Sequence, residues 1–133
     1  SREEYTMDAH FPHNRFNFSN LMEHLQKEVR MPDLVTDDAT GIEFYGADTI
    51  SKEVFLRLLE DFPLLDTLAQ NRFRLDYEAQ TRLDVTYFQF EPSWVEITPG
   101  HVVVGYVGIS VNTDFPLTFS RVDQKWVLMD SGR

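Results

Sequence analysis

Trp94-Val95-Glu96-Ile97-Thr98, then Pro99-Gly100, then His101-Val102-Val103-Val104-Gly105-Tyr106-Val107-Gly108-Ile109 is the stretch that decides the fold. Two runs rich in β-branched and aromatic residues flank a Pro-Gly pair, and Pro-Gly marks turns. The pattern predicts a short strand over Trp94–Thr98, a turn, and a strand over His101–Ile109. Downstream, Leu117 and Phe119 mark another strand, Asp123-Gln124 a turn, and Trp126–Met129 the strand that closes the sheet. Upstream, Leu83, Val85 and Tyr87 alternate with polar neighbours, and Phe88 and Phe90 take over on the opposite parity. Such a switch signals a bulge or a strand covered on both faces. Phe73, Leu75 and Tyr77 alternate with Arg74, Asp76 and Glu78, so strand spacing begins at Arg72.

The period is different before that point. Leu21, Leu25 and Val29 recur every fourth residue, with Met22 beside them, and Asn20 with Glu23 resembles a capping box. Pro32 ends the pattern, which predicts a helix over about residues 20–30. Asp33 to Gly41 reads as a loop, and Ile42–Tyr45 as a short strand closed by Gly46. From Ser51 a second helix carries the stripe Val54, Phe55, Leu58, Leu59, Phe62. Pro63 interrupts it, and Leu64–Gln70 is expected as a short continuation at a new angle. Helices first and an antiparallel meander second define an α+β fold. Two or three N-terminal helices are expected on one face of a five- to six-stranded antiparallel sheet. Alternating βαβ units are not read, which argues against doubly wound folds. No repeat or long linker divides the chain, so residues 1–133 are expected to form one domain, with 1–18 as an irregular N-terminal arm.

The composition narrows the function. A chain of 133 residues suits one domain with a real core. It has no cysteine, which excludes disulfides, thiolate zinc sites, iron–sulfur clusters and cysteine nucleophiles. A net charge of −10 argues against a surface that coats nucleic acid. No apolar run approaches the ~20 residues of a membrane-spanning helix. Ser1–Phe18 lacks the basic start and apolar stretch of a secretory signal, so the cytoplasm is the expected compartment.

The charge is uneven. Residues 31–71 hold nine acids and two bases, net −7. A solvated, solubilising face accounts for part of such an excess. Concentrated acid also steers a cationic partner and raises its association rate by ~10–1000-fold. The residues expected to meet that partner are Asp37, Asp38, Glu43, Asp48, Glu60, Asp61 and Asp66.

Catalytic and metal patterns are weak. His10 and His13 are spaced for a helical metal pair, but Pro12 lies between them. Asp37, Asp38, Thr40, Gly41 and Glu43 resemble a calcium loop, yet Ala39 and Gly41 fall where oxygen ligands belong. Ser110, Ser120 and Ser131 lack a nucleophile elbow, and Gly105 and Gly108 sit inside a strand, where close backbone packing explains them. His24 lies off the apolar stripe of its helix. A pocket between helices and sheet would draw on His101, Asp76, Asp84, Tyr87 and Tyr106, with Asp66 nearby. The aromatics Tyr87, Phe88, Phe90, Trp94, Tyr106, Phe115, Phe119 and Trp126 are first of all a sheet core. Residues 83–120 carry no lysine or arginine, so base stacking is disfavoured and protein anchoring is the alternative use of any exposed ring.

The run Phe90-Glu-Pro-Ser-Trp-Val-Glu-Ile-Thr, with Val103-Val-Gly-Tyr-Val-Gly, Val111-Asn-Thr-Asp-Phe and Lys125-Trp-Val-Leu, resembles small bacterial immunity proteins that accompany polymorphic toxins. The resemblance lies in the C-terminal half and rests on no strict motif. It implies a short, acidic, cytoplasmic α+β or β-rich domain with no shared active site, whose task is to cover the active surface of a cognate toxin. The ending is also similar to cone-shaped helix-plus-sheet domains of the nuclear-transport-factor-like kind, which implies a curved sheet over a ligand-binding or catalytic cavity. The leading expectation is a non-enzymatic inhibitor of a basic protein, monomeric or homodimeric, using no metal and no cofactor. A pocket domain of the second kind is the alternative.

Overall fold

The computed structural model describes residues 16–81, 90–108 and 114–129. In chain order they form α1 (Ser19–Gln26), β1 (Leu34–Thr36), β2 (Glu43–Tyr45), α2 (Lys52–Thr81), β3 (Phe90–Thr98), β4 (His101–Gly108), β5 (Asp114–Val122) and β6 (Lys125–Leu128). The class is α+β, with two α-helices and one six-stranded sheet in the order β1-β2-β3-β4-β5-β6.

The sheet is mixed, which corrects the all-antiparallel expectation. Neighbours run antiparallel except β2 and β3, which are parallel in the register Glu43↔Trp94, Phe44↔Val95, Tyr45↔Glu96. Parallel neighbours need a long crossover, and α2 supplies it. The chain therefore contains one β-α-β unit, and its main helix follows two strands instead of preceding the sheet.

Several local expectations are also corrected. The strand expected from Arg72 is the last part of α2. Phe73 extends the buried stripe Phe55, Leu58, Leu59, Phe62, Leu65, Ala69 at spacings of one to four, while Leu75 is 48% exposed. The helix also runs unbroken through Pro63, whose carbonyl accepts from Thr67 Oγ1 at 3.0 Å. The segment read as a loop after Asp33 contains β1, which pairs with β2. At α1 the Asn20–Glu23 box does not form; Asn17 Oδ1 accepts from Ser19 N at 3.0 Å and Ser19 Oγ at 2.7 Å. The helix stops at Gln26, where Lys52 Nζ donates to the carbonyls of Gln26 and Glu28 at 3.1 and 2.6 Å. Val29 is consequently outside the helix and almost fully exposed. Residues 1–15 of the expected arm and the alternation at Leu83–Phe88 lie outside the described residues.

The core is one layer of side chains between helices and sheet. The stripe of α2 meets Val35, Phe44, Val95, Ile97, Val102, Val104, Tyr106, Leu117 and Phe119, all buried. Phe16, Phe18, Phe44, Phe55 and Phe62 form a ring cluster with centroids 5.2–6.3 Å apart, mostly edge to face. Fully burying each such side chain contributes roughly 1.5–3 kcal/mol, and edge-to-face pairs add about 0.5–1.5 kcal/mol each. Because Phe16, Phe18 and Leu25 join the same cluster, α1 and α2 cover the same face of the sheet. Among the described residues, no helix lies over the other face.

Candidate protein-binding face

The make-up of the face that no described helix covers follows from strand alternation. Paired residues share a face, so the inward pairs Phe44↔Val95, Val95↔Val104 and Val104↔Leu117 leave their neighbours pointing outward. The outward set includes Leu34 on β1, Glu43 and Tyr45 on β2, Trp94 and Glu96 on β3, and His101, Val103 and Val107 on β4. It continues with Asp114, Val122, Lys125 and Val127 towards the far edge.

Trp94 is the organising residue of this face. The register of β3 against β4 shifts between Pro92 and Trp94. A bulge of this kind re-aims a side chain. Here it sets Trp94 opposite Gly105, and a Cβ built on Gly105 would overlap the indole at Cε2, Nε1 and Cζ2. The missing side chain lets the indole lie flat against the β4 backbone. That is the close packing expected of a glycine inside a strand. Trp94 is only partly buried and stands apart from the hydrophobic core.

The rim is acidic. Glu43 pairs laterally with Trp94, and Glu96 with Tyr45. Tyr45 is 42% exposed, and its hydroxyl donates to Glu43 Oε1 at 2.6 Å. That hydrogen bond to an anionic acceptor, with a smaller contribution from desolvation, raises the Tyr45 hydroxyl above the ordinary phenol value. Asp114 is a third carboxylate, and Lys125 at the opposite edge is the one Lys or Arg among the outward residues named above.

The seven carboxylates expected to form one patch are dispersed. Asp37 is buried and organises the β1–β2 turn, where its Oδ2 accepts from Thr40 N at 2.9 Å and Thr40 Oγ1 at 2.7 Å. Asp66 is also buried; Tyr106 Oη donates to its Oδ1 at 2.8 Å and Gln70 Nε2 at 3.2 Å. Glu60 and Asp61 lie on α2, across the sheet from Glu43, and Asp61 Oδ2 accepts from Trp126 Nε1 at 2.9 Å and pairs with Arg57 Nε at 3.3 Å. Asp38 and Asp48 are exposed at turns flanking β2. Glu43 alone of the seven sits beside Trp94. Glu96 was not singled out by a count along the chain; its strand register with Tyr45 reveals it.

Among the described groups of the alternative pocket, Tyr106 meets Asp66, while His101 and Asp76 are not joined to them. His101 is exposed at the start of β4, Tyr106 is buried five residues along the same strand, and Asp76 is exposed on α2. Asp84 and Tyr87 lie outside the described residues. So do His10, His13, Ser110 and Ser131. His24 is exposed on α1 and faces Glu28 at 3.4 Å. No group of three metal-ligating side chains occurs among the described residues, and none of their helices is long and apolar enough to cross a membrane.

Comparison with known protein families, curated proteins and solved structures found no match.

Proposed function

We propose that this protein is a non-enzymatic binding domain of the immunity type, which neutralises a basic protein by docking the open face of its sheet onto it. One observation carries the reading. A tryptophan packed against Gly105 has Glu43 as its neighbour across the strand pair and Glu96 two residues along its own strand, with Tyr45 opposite Glu96. Tryptophan and tyrosine dominate interface hot spots. A lysine or arginine set over an indole and flanked by carboxylates gains both cation–π and ionic attraction. The overall charge of −10 adds long-range steering towards such a partner.

The test sequences the DNA beside this gene for a frame encoding a basic protein, expresses that protein and measures its binding by calorimetry at several salt concentrations; neighbours without such a frame count against the assignment. Trp94→Ala is expected to weaken binding by ~30-fold or more, the scale of a hot spot of about 2 kcal/mol. The double reversal Glu43→Lys with Glu96→Lys is expected to slow association and flatten its salt dependence. Glu60→Lys, on the helix layer, serves as the control and leaves affinity within about twofold at moderate salt, where charges beyond the ~8 Å screening length are damped. Affinity insensitive to Trp94 and to both reversed charges would remove this assignment.

A further inference from the structure

A second feature lies away from the docking face. Where the β3–β4 turn meets the start of α2, a cavity of about 90 Å3 opens between the sheet and the helix. Its walls are largely apolar: Ile50 and Val54 from the helix side, Ile97 and Val102 from the hairpin. Arg121 of β5 and Trp126 of β6 close it, as cross-strand partners. The guanidinium carbon of Arg121 stands 5.6 Å from the centre of the Trp126 ring. Its Nε is buried and has no hydrogen-bond partner among the described residues.

That arrangement is costly unless something completes it. A buried donor attached to a cation and left without an acceptor loses its hydration without replacement, a penalty that grows for charged groups. The chain has 22 acidic residues, yet none of the described carboxylates comes within ion-pairing distance of Arg121. Asp61 is occupied by the Trp126 indole N–H and by Arg57. The site thus offers an unclaimed guanidinium, an aromatic wall and a small, largely apolar recess with Thr98 and His101 at its lining.

We infer that this cavity binds a short-chain monocarboxylate, with the carboxylate on the Arg121 guanidinium and the hydrocarbon chain against Ile50, Val54, Ile97 and Val102. Guanidinium–carboxylate pairing is the strong, directional form of charge-assisted hydrogen bond. The volume limits the chain, because about 90 Å3 equals on the order of three waters. Butyrate matches that size, while hexanoate exceeds it.

The test is a titration of the isotope-labelled protein with sodium acetate, propionate, butyrate and hexanoate at constant ionic strength, followed by NMR. Butyrate is expected to give saturable shifts at Arg121 Nε–H, Trp126 Nε1–H and the Val54 and Val102 methyls. Its dissociation constant should be about 1–10 mM, the range open to so small a ligand. Affinity should rise roughly fourfold per methylene from acetate to butyrate and fall at hexanoate. Butyramide, of the same shape without the charge, should bind at least tenfold more weakly, and Arg121→Gln should lose butyrate to the same extent. Val54→Phe fills the recess while leaving Arg121 in place, so it too should abolish binding even if Arg121→Gln fails to fold. The inference is overturned if butyrate shows no saturable shift in the folded wild type, if butyramide binds equally well, or if Val54→Phe binds butyrate unchanged.

Discussion

Gly105→Ala is the sharpest probe of the sheet's open face, because it adds one methyl group where the Trp94 indole now lies. The ring has to lift off β4. An indole buries about 200 Å2 when fully covered. Trp94 is partly covered, so about half of that contact is at stake, or ~2.5 kcal/mol at 25 cal/mol per Å2. Repacking recovers some of it, and replacing glycine within a strand returns roughly 0.5–1 kcal/mol of chain entropy. The net expectation is a loss of about 1–2 kcal/mol, or a fall in Tm of roughly 5 °C for a domain of this size. Urea denaturation measures it, and a double-mutant cycle isolates its cause. In the Trp94→Ala background the same substitution should be neutral or stabilising by about 0.5 kcal/mol, which gives a coupling near 2 kcal/mol. If Gly105→Ala costs as much without the indole as with it, the indole is not what the glycine accommodates, and the pre-ordered anchor loses its basis.

Other perturbations address separate parts of the molecule. Phe62→Ala removes a fully buried ring that meets Phe16, Phe18 and Phe44 at 5.2, 5.7 and 6.2 Å; chemical denaturation should register a loss of about 3–5 kcal/mol. Pro63→Ala restores a donor inside α2 and removes a ring that crowds the preceding turn, so it should stabilise by about 1–3 kcal/mol, read as a rise in denaturation midpoint. Asp37→Ala strips two hydrogen bonds from the β1–β2 turn and should cost about 1–2 kcal/mol. The phenol of Tyr45 titrates higher when folded than when unfolded, so its contribution is present below its unfolded value near 10 and is lost as pH climbs through the raised one. Ultraviolet titration should show a late-ionising component that moves down in Glu43→Gln.

The sequence was most readable where polarity and punctuation agreed. Strands β3 to β6 are rich in β-branched and aromatic residues, Pro99-Gly100 and Asp123-Gln124 mark two of their turns, and Asp123 and Gln124 both take positive φ, 54° and 66°, as a tight hairpin turn requires. The first half of α2 showed a continuous 3.6-residue stripe. Its second half was ambiguous, because Phe73, Leu75 and Tyr77 fit a strand while Ala69 and Phe73 fit the helix. Contact of Phe73 with Phe90 and Tyr106, at 4.2 and 5.2 Å, decides for the helix, and that information is tertiary. Parallel pairing of β2 with β3 leaves no local mark either. The binding face was hidden for a related reason: acidity was counted along the chain, whereas strand register sends Glu43 outward, takes Asp66 inward from α2, and brings in Glu96 from a distant segment.

The β1–β2 hairpin has a role beyond completing the sheet. Its contact with β3 joins segments from opposite ends of α2, whereas β3 to β6 pair with sequence neighbours. Local pairings close sooner, since a long crossover must first be ordered. During folding, then, β3 is for a time a nine-residue strand with a free hydrogen-bonding edge. Such an edge invites intermolecular pairing. The small hairpin is the cap that ends this exposure, and refolding yield at high protein concentration should depend on how quickly Phe44 finds Val95.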